Sequence, residues 1–402
     1  MLFQYNAMPS SSLEPSHRMV VSKDVVVADG NDDKWQRRRR CNEDTTTTQN
    51  NNNVLNLMMI CCEENQPYGP PVDTANMFLE LLCAAYEQHL RGGCATSREV
   101  LAAGGVNNDI PSKDYTNLTS IRITIYHAQT NDYPTTQEEW NSYNGIIIPG
   151  SLSAAYDTHI EWIHKLQSII QTEIVAKQRK CLGVCFGHQC FAHSFELMNG
   201  KEDSDISTND SGSKQQRRGS ASKCTIGNLA GRKSFKLTKE GKFLLGSSST
   251  ISNKDCIDML FTRGDMVESL PSVAVSLCGT DDSRTLPNEA CAYFASQEEV
   301  YKFQHQIEQK DEKKLSVVDK SNSRSSEVAL PYAITFQAHP EYMTSTGYNT
   351  NYVNTVKAMK DRGSITAEQE EDAIDDAKLK YEVLERDCLD AIVSTAVILR
   401  WF

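Results

Sequence analysis

The 402-residue sequence predicts an α/β fold with a mainly parallel central sheet flanked by helices on both faces, on three observations. Short apolar runs alternate with helical stretches between residues 54 and 199. One of those runs passes straight into a helix through a glycine-flanked turn, "CLGVCFGHQC" at 181–190. Past residue 222 apolar runs follow one another with few helices between them, which predicts some antiparallel strands at one end of the sheet.

Taken in order, residues 1–53 carry "SSSLEPS", an arginine run and "TTTTQNNNN". They hold too few apolar side chains to offset the entropy of ordering, so this segment is expected to be disordered. One domain is expected over 54–402. "VLNLMMICC" (54–62) reads as a buried strand. "DTANMFLELLCAAYEQHL" reads as a helix, with Asp73 or Thr74 as N-cap and Met77, Leu81, Leu82 and Ala85 at helical spacing. "IRITIYHA" is strand-like, "TTQEEWNSY" a short helix, and "GIIIPG" (145–150) a strand ending in a glycine turn. Ile160, Ile163, Leu166, Ile169 and Ile170 share a helical face, and "KCLGVCFGHQ" returns to strand before a helix from about 187 to 199.

Two polar tracts, 201–222 and 308–328, lie between structured segments and read as disordered loop insertions, which chain entropy tolerates. "KSFKL", "CIDMLFTR", "SVAVSLCG", "EACAYFA" and "YAITFQAH" are the later strands. Residues 366–400 are helical, opened by a capping box of Thr366 and Gln369.

Composition bounds the function. A net charge of −12 disfavours binding to nucleic acid, whose phosphates select basic surfaces. The 13 cysteines include no C-x-x-C pair, so neither a zinc ribbon nor a thioredoxin-type site is supported, and no metal or cofactor is expected. A reduced, cytosolic setting fits them best. No apolar stretch is long enough to span a bilayer, and the N-terminus lacks a secretory pattern, so no membrane partner is expected. "RRRR" at 37–40 reads as a solvated charge run, with a nuclear localisation patch as the alternative.

The chemistry gathers at Cys185. A strand entering a helix through G-x-C-x-G is the nucleophile-elbow pattern with cysteine in place of serine. Gly183 and Gly187 let strand and helix approach closely, and the helix N-terminus stabilises a thiolate. The Phe186 N–H, at that helix start, is placed to meet an oxyanion. The bland alternative is a buried thiol in a glycine-rich turn. A nucleophile needs a base and the base an orienting group, and "ITFQAHPEY" supplies His339 and Glu341 just after an apolar strand. Strand alternation would put residues i and i+2 on one face.

Together, "GVCFGHQ", "QAHPEY" and "YNGIIIPGSLSAAYD" resemble the class I glutamine amidotransferase family, over about residues 54–360. Within it the chain looks most like free-standing members related to plant γ-glutamyl peptidases, with Gly150, Ser151, Asp157 and Trp162 in the same order. The resemblance implies a flavodoxin-like sheet and a Cys185–His339–Glu341 triad. It also implies a second oxyanion N–H from Gly150 and substrate contacts from Gln189 and Ser151. One departure stands out: "FTRGDMVESLP" places Arg263 where the family commonly has histidine. Pro149 replaces a small residue before the oxyanion glycine, a lesser change.

His188 is expected to make a structural hydrogen bond rather than act as base, and Cys61, Cys181 and Cys190 to be core thiols. "SLCGTDDS" only faintly matches a pyrophosphate loop, its glycine spacing being wrong. The implied activity is therefore hydrolysis of a γ-glutamyl amide in glutamine, a γ-glutamyl peptide or a conjugate. The alternatives are a glutaminase subunit feeding ammonia to a separate synthase partner, a non-catalytic binding or regulatory member, and other cysteine chemistry on an α/β-hydrolase-like elbow.

Overall fold

The computed structural model describes residues 18–25, 53–63, 69–91, 118–157, 159–197, 219–246, 255–280, 286–315 and 329–402. Its strands are β1 (Val20–Asp24), β2 (Val54–Cys61), β3 (Ser120–His127), β4 (Gly145–Ile148), β5 (Cys181–Val184), β6 (Ser220–Lys223), β7 (Leu229–Leu237), β8 (Cys256–Arg263), β9 (Asp265–Ser269), β10 (Ala274–Gly279), β11 (Ala290–Tyr293) and β12 (Ala333–Phe336). Its helices are α1 (Pro71–Leu90), α2 (Gln137–Asn141), α3 (Glu161–Ile169), α4 (Phe186–Leu197), α5 (Lys239–Leu244), α6 (Gln297–Leu315), α7 (Val353–Asp361), α8 (Ala367–Leu379) and α9 (Tyr381–Ile398).

Ten strands form one mixed sheet in the order β1-β3-β2-β4-β5-β12-β11-β10-β7-β8, and β6 and β9 pair separately. β3, β2, β4, β5 and β12 run parallel. From β12 outward to β8 every pairing is antiparallel, as the crowded later strands predict. The parallel strands are apolar on both sides because both are covered. Leu55, Leu57 and Met59 of β2 face a core shared with α1 and α9, while Met58 and Ile60 face one shared with α3 and α4.

Three expectations need correction. β1 lies inside the segment expected to be disordered, yet pairs antiparallel with β3 from Val20 opposite Thr124 to Asp24 opposite Ser120. Its anchor is Arg18, whose guanidinium lies 4.3 Å from the centroid of the Tyr126 ring, bonds Asp132 at 3.1 Å and pairs with Glu139. A partly buried cation held by a π face and two carboxylates ties down a chain end that composition alone leaves loose. α1 starts at Pro71, not at Asp73 or Thr74, and Pro70 at its N-cap makes no side-chain cap bond. Proline suits that first turn, since its missing N–H would lack a helical partner anyway and its φ is already helical.

The third correction is α6, which continues through 308–315, the first part of an expected insertion. Its sequence is rich in charge, and among its described side chains the apolar stripe is Val300, Phe303 and Ile307, buried at helical spacing. Residues 219–222 likewise run into β6, whereas 1–17, 26–52, 201–218 and 316–328 of the low-complexity segments lie outside the described residues. The capping box at α8 is present, with Thr366 accepting from the Gln369 N–H and Gln369 from the Thr366 N–H. No helix among the described residues is long and apolar enough to cross a membrane.

Candidate active site

β5 and β12 are parallel neighbours, with Val184 opposite Phe336. Their C-terminal ends therefore deliver Cys185 and the "QAHPE" segment to one edge of the sheet, and the Cys185 N–H donates to the Phe336 carbonyl at 2.8 Å. Open α/β sheets place ligands at this edge. Cys185 has φ of +51°, one of four non-glycine residues in the left-handed region among those described. An L-residue held there costs roughly 1–2 kcal/mol. Packing enforces the turn. A Cβ on Gly183 would stand 2.8 Å from Thr335 Cγ2, and one on Gly187 would overlap the Ile148 carbonyl oxygen. The Gly187 N–H donates to the Pro149 carbonyl at 3.2 Å. The elbow is thus clamped directly against the end of β4, where Gly150 follows.

His339 and Glu341 do meet, but not by the strand alternation expected for residues i and i+2. β12 stops at Phe336, and Pro340–Met343 form a 3₁₀ turn with His339 at its N-cap. Across that turn His339 Nδ1 and Glu341 Oε1 are 2.7 Å apart. A carboxylate only accepts, so Nδ1 carries the proton and Nε2 is the ring nitrogen left for chemistry. Nε2 has no partner in hydrogen-bond geometry among the described residues. The ring stacks on Tyr342 at 4.3 Å between centroids, the His339 N–H donates to the Leu260 carbonyl at 2.9 Å, and Tyr342 Oη sits 3.2 Å from Thr262 Oγ1.

Burial works against a charge on His339, yet its pKa is raised well above the ordinary imidazole value by Tyr342, Cys185 and Glu341. Tyr342 is an uncharged phenol at neutral pH, so the Glu341 carboxylate bonded at Nδ1 is the neighbour whose charge favours the imidazolium. The arrangement favours a cysteine and imidazolium pair oriented by a buried carboxylate. Cys185 is 4% exposed and His339 and Glu341 are buried with it.

The remaining expected residues fall around this trio. Neither the Gly150 nor the Phe186 N–H bonds a described residue, and both flank the clamped elbow. Phe186 supports the Trp162 ring at 5.6 Å between centroids. Gln189 is buried, and its amide nitrogen donates to Gln337 Oε1 at 3.0 Å. Ser151 turns its hydroxyl to Glu63 Oε2 at 3.2 Å and accepts from the Ser153 N–H, so it shapes the loop after Gly150 rather than offering a free hydroxyl. His188 bonds at both nitrogens: Nε2 donates to the Asn288 carbonyl at 2.9 Å, which leaves Nδ1 to accept from Thr335 Oγ1 at 2.7 Å. Burial, with Arg263 nearby, pushes its pKa down to about 3 despite the Asn288 bond, so it stays neutral and structural.

Sequence reasoning missed Gln337, whose amide reaches Cys185 Sγ at 3.7 Å, and Glu63, which also accepts from the Leu152 N–H at 2.9 Å. The available signal was a polar residue just past each apolar strand. Arg263 lies in a buried ion pair with Glu289, 2.9 Å apart.

The family described as glutamine amidotransferase class-I matches residues 113–358, a span that contains Cys185, His339 and Glu341. A Saccharomyces cerevisiae protein provisionally named a glutamine amidotransferase is 35% identical over 75 residues. That match takes in 18% of this chain and only 30% of the length of the yeast protein. Among solved structures, a glutamine amidotransferase from Thermotoga maritima is similar at a TM-score of 0.45 and 12% identity, over 85% of this chain and 98% of its own. A glutamine amidotransferase from Methylobacillus flagellatus is similar at a TM-score of 0.42 and 13% identity, over 87% and 94%.

Proposed function

The chain belongs to the class I glutamine amidotransferase family, and from that premise we propose that it is a free-standing, cysteine-dependent hydrolase of γ-glutamyl amide bonds, akin to the γ-glutamyl peptidases. One observation carries the reading. A cysteine strained at φ +51° stands just past the strand beside the one that delivers a His339–Glu341 pair bonded at 2.7 Å.

In this reading the Cys185 thiolate attacks the δ-carbonyl carbon, forming the S–C bond. The oxyanion is met by the N–H groups of Phe186 and Gly150, and each such donor contributes on the order of 10²- to 10³-fold in rate. The C–N bond then breaks as His339 Nε2–H gives its proton to the leaving nitrogen. Water approaches the γ-glutamyl thioester, neutral Nε2 takes its proton, and the hydroxide displaces sulfur. Glutamate leaves, and the thiolate and imidazolium are restored. Glu341 keeps Nδ1 protonated and the ring oriented throughout.

The test is labelling by 6-diazo-5-oxo-L-norleucine, followed by a panel of glutamine, glutathione and γ-glutamyl dipeptides read as released glutamate. Adduct on Cys185 and glutamate from the purified chain alone are expected. Glutamine turnover appearing only when a second protein is added would replace this reading with a glutaminase subunit that supplies ammonia to a synthase. Absence of adduct on Cys185 would leave a non-catalytic member of the fold.

A further inference from the structure

We propose that Arg263 and Glu289 form the subsite for the α-amino-acid head of the substrate, Arg263 receiving its α-carboxylate and Glu289 its α-ammonium. This rests on the γ-glutamyl hydrolase reading above and concerns Arg263, which stands where the family commonly has histidine, and Glu289, which no motif includes.

Placement comes from strand register. Ala290 of β11 pairs with Phe336 of β12, so Glu289 stands directly opposite Gln337, and the Gln337 N–H donates to the Glu289 carbonyl at 2.8 Å. Side chains directly opposite in an antiparallel pair emerge on one face, with Cβ atoms about 5 Å apart. Gln337 is the side chain that touches Cys185 Sγ. One cross-strand spacing therefore separates Glu289 from the neighbour of the nucleophile, comparable to the three bonds between the δ- and α-carbons of a glutamyl group.

The pair is ionisable, buried and incompletely bonded. Arg263 is 3% exposed and Glu289 2%. Arg263 Nη2 is in ionic contact with Glu289 Oε1 at 2.9 Å, yet Arg263 Nε and Nη2 and Glu289 Oε2 have no partner in hydrogen-bond geometry. The missing partners are complementary to an amino-acid head. Free donors on a guanidinium need an acceptor such as a carboxylate, and a free carboxylate oxygen needs a donor such as an ammonium.

Buried polar atoms of native proteins are otherwise almost always bonded, so three on one pair mark a place where a ligand completes the set. The neighbouring carboxylate, Asp265, is already engaged by the Tyr156 hydroxyl at 2.7 Å. Burial also raises the Glu289 pKa to about 7 against the lowering effect of Arg263, so the guanidinium alone does not compensate that carboxylate.

The experiment measures the rate of Cys185 alkylation by three probes: 6-diazo-5-oxo-L-norleucine, its analogue without the α-amino group, and its analogue without the α-carboxylate. The wild-type protein should prefer the intact probe by on the order of a hundredfold or more, since sites built to bond a polar group reject analogues lacking it. Glu289→Gln should erase the preference over the des-amino probe, and Arg263→Met the preference over the descarboxy probe. Slowing of all three probes by one common factor, or no slowing, would make the pair a structural ion pair and overturn the assignment. Where a variant does not fold, the wild-type protein decides, because equal rates with intact and truncated probes also overturn it. Absence of Cys185 adduct with every probe would instead remove the hydrolase reading on which the assignment stands.

Discussion

Gly187→Ala is the perturbation that most directly tests how the elbow works. The added methyl would overlap the Ile148 carbonyl oxygen and come within 2.8 Å of the Ile148 carbonyl carbon, both backbone atoms of a buried strand end. Neither can rotate away, so helix α4 and the end of β4 must part, by roughly 1 Å for ordinary contact to be restored. A misplacement of about 1 Å between reacting groups costs on the order of 10²-fold in rate. That is about 2.7 kcal/mol of transition-state stabilisation. Overpacking removes about 1–3 kcal/mol of stability, which a domain of ordinary stability survives folded.

Gly145→Ala is the control. Its methyl would overlap the Trp401 indole at the opposite end of the same strand, so it loads the fold without separating Gly150 from Cys185. The assay is Cys185 alkylation rate and glutamate release per folded molecule, with urea unfolding of both variants. Gly187→Ala is expected to lose about two decades of rate and Gly145→Ala to lose stability while keeping its rate. Near-wild-type rates in folded Gly187→Ala, or an equal loss in Gly145→Ala, would refute the argument that backbone clearance at the elbow sets the site.

Three further outcomes follow from the same geometry. Cys185→Gly removes the left-handed strain that Cys185→Ala retains, so although both lack the nucleophile, the glycine variant should resist urea better, by about 0.5–1 kcal/mol; equal midpoints would contradict the strain. The raised His339 pKa means its contribution to stability is complete below about pH 6.5 and is lost as pH rises through the raised value. In Glu341→Gln the neighbouring charge is gone and burial dominates, so the alkaline limb of the Cys185 alkylation profile should move to lower pH by about a unit or more, and an unmoved limb would sink the orienting role. Thr335→Val leaves His188 Nδ1 a buried acceptor without a donor, which should cost about 1–3 kcal/mol of stability with the alkylation rate little changed; a collapse of rate in the folded variant would give His188 more than a structural part.

Local features of the fold were legible because each states its cause within a few residues. The two-sided apolar runs of β2 and β4 announce a covered parallel sheet, and Thr366 with Gln369 announces the start of α8. β1 was not legible, because the order of Val20–Asp24 depends on Arg18 reaching Tyr126, Asp132 and Glu139 more than a hundred residues away. α6 was obscured for a different reason. Its run of charged residues imitates a polar insertion, and among its described side chains the packed stripe is Val300, Phe303 and Ile307.

The same division runs through the site. Gly183 and Gly187 are readable because the space beside them is closed by backbone and a neighbouring strand, and only glycine answers that constraint. His339 and Glu341 do meet, but a 3₁₀ turn after β12 joins them rather than the strand alternation expected from the sequence. Gln337 and Glu289 had no comparable local mark, and Arg263 was marked only as a departure from an expected histidine. A polar residue at an apolar strand end is consistent with many partners, and which one it meets is decided by the register of β11 on β12 and by β8 crossing beside His339. Motif glycines thus report how the backbone is bent at Cys185, whereas buried charges such as Arg263 and Glu289 are brought together only by strand order. Arg263, where the family resemblance leads one to expect histidine, is for that reason better understood from Glu289 across the sheet than from its sequence neighbours.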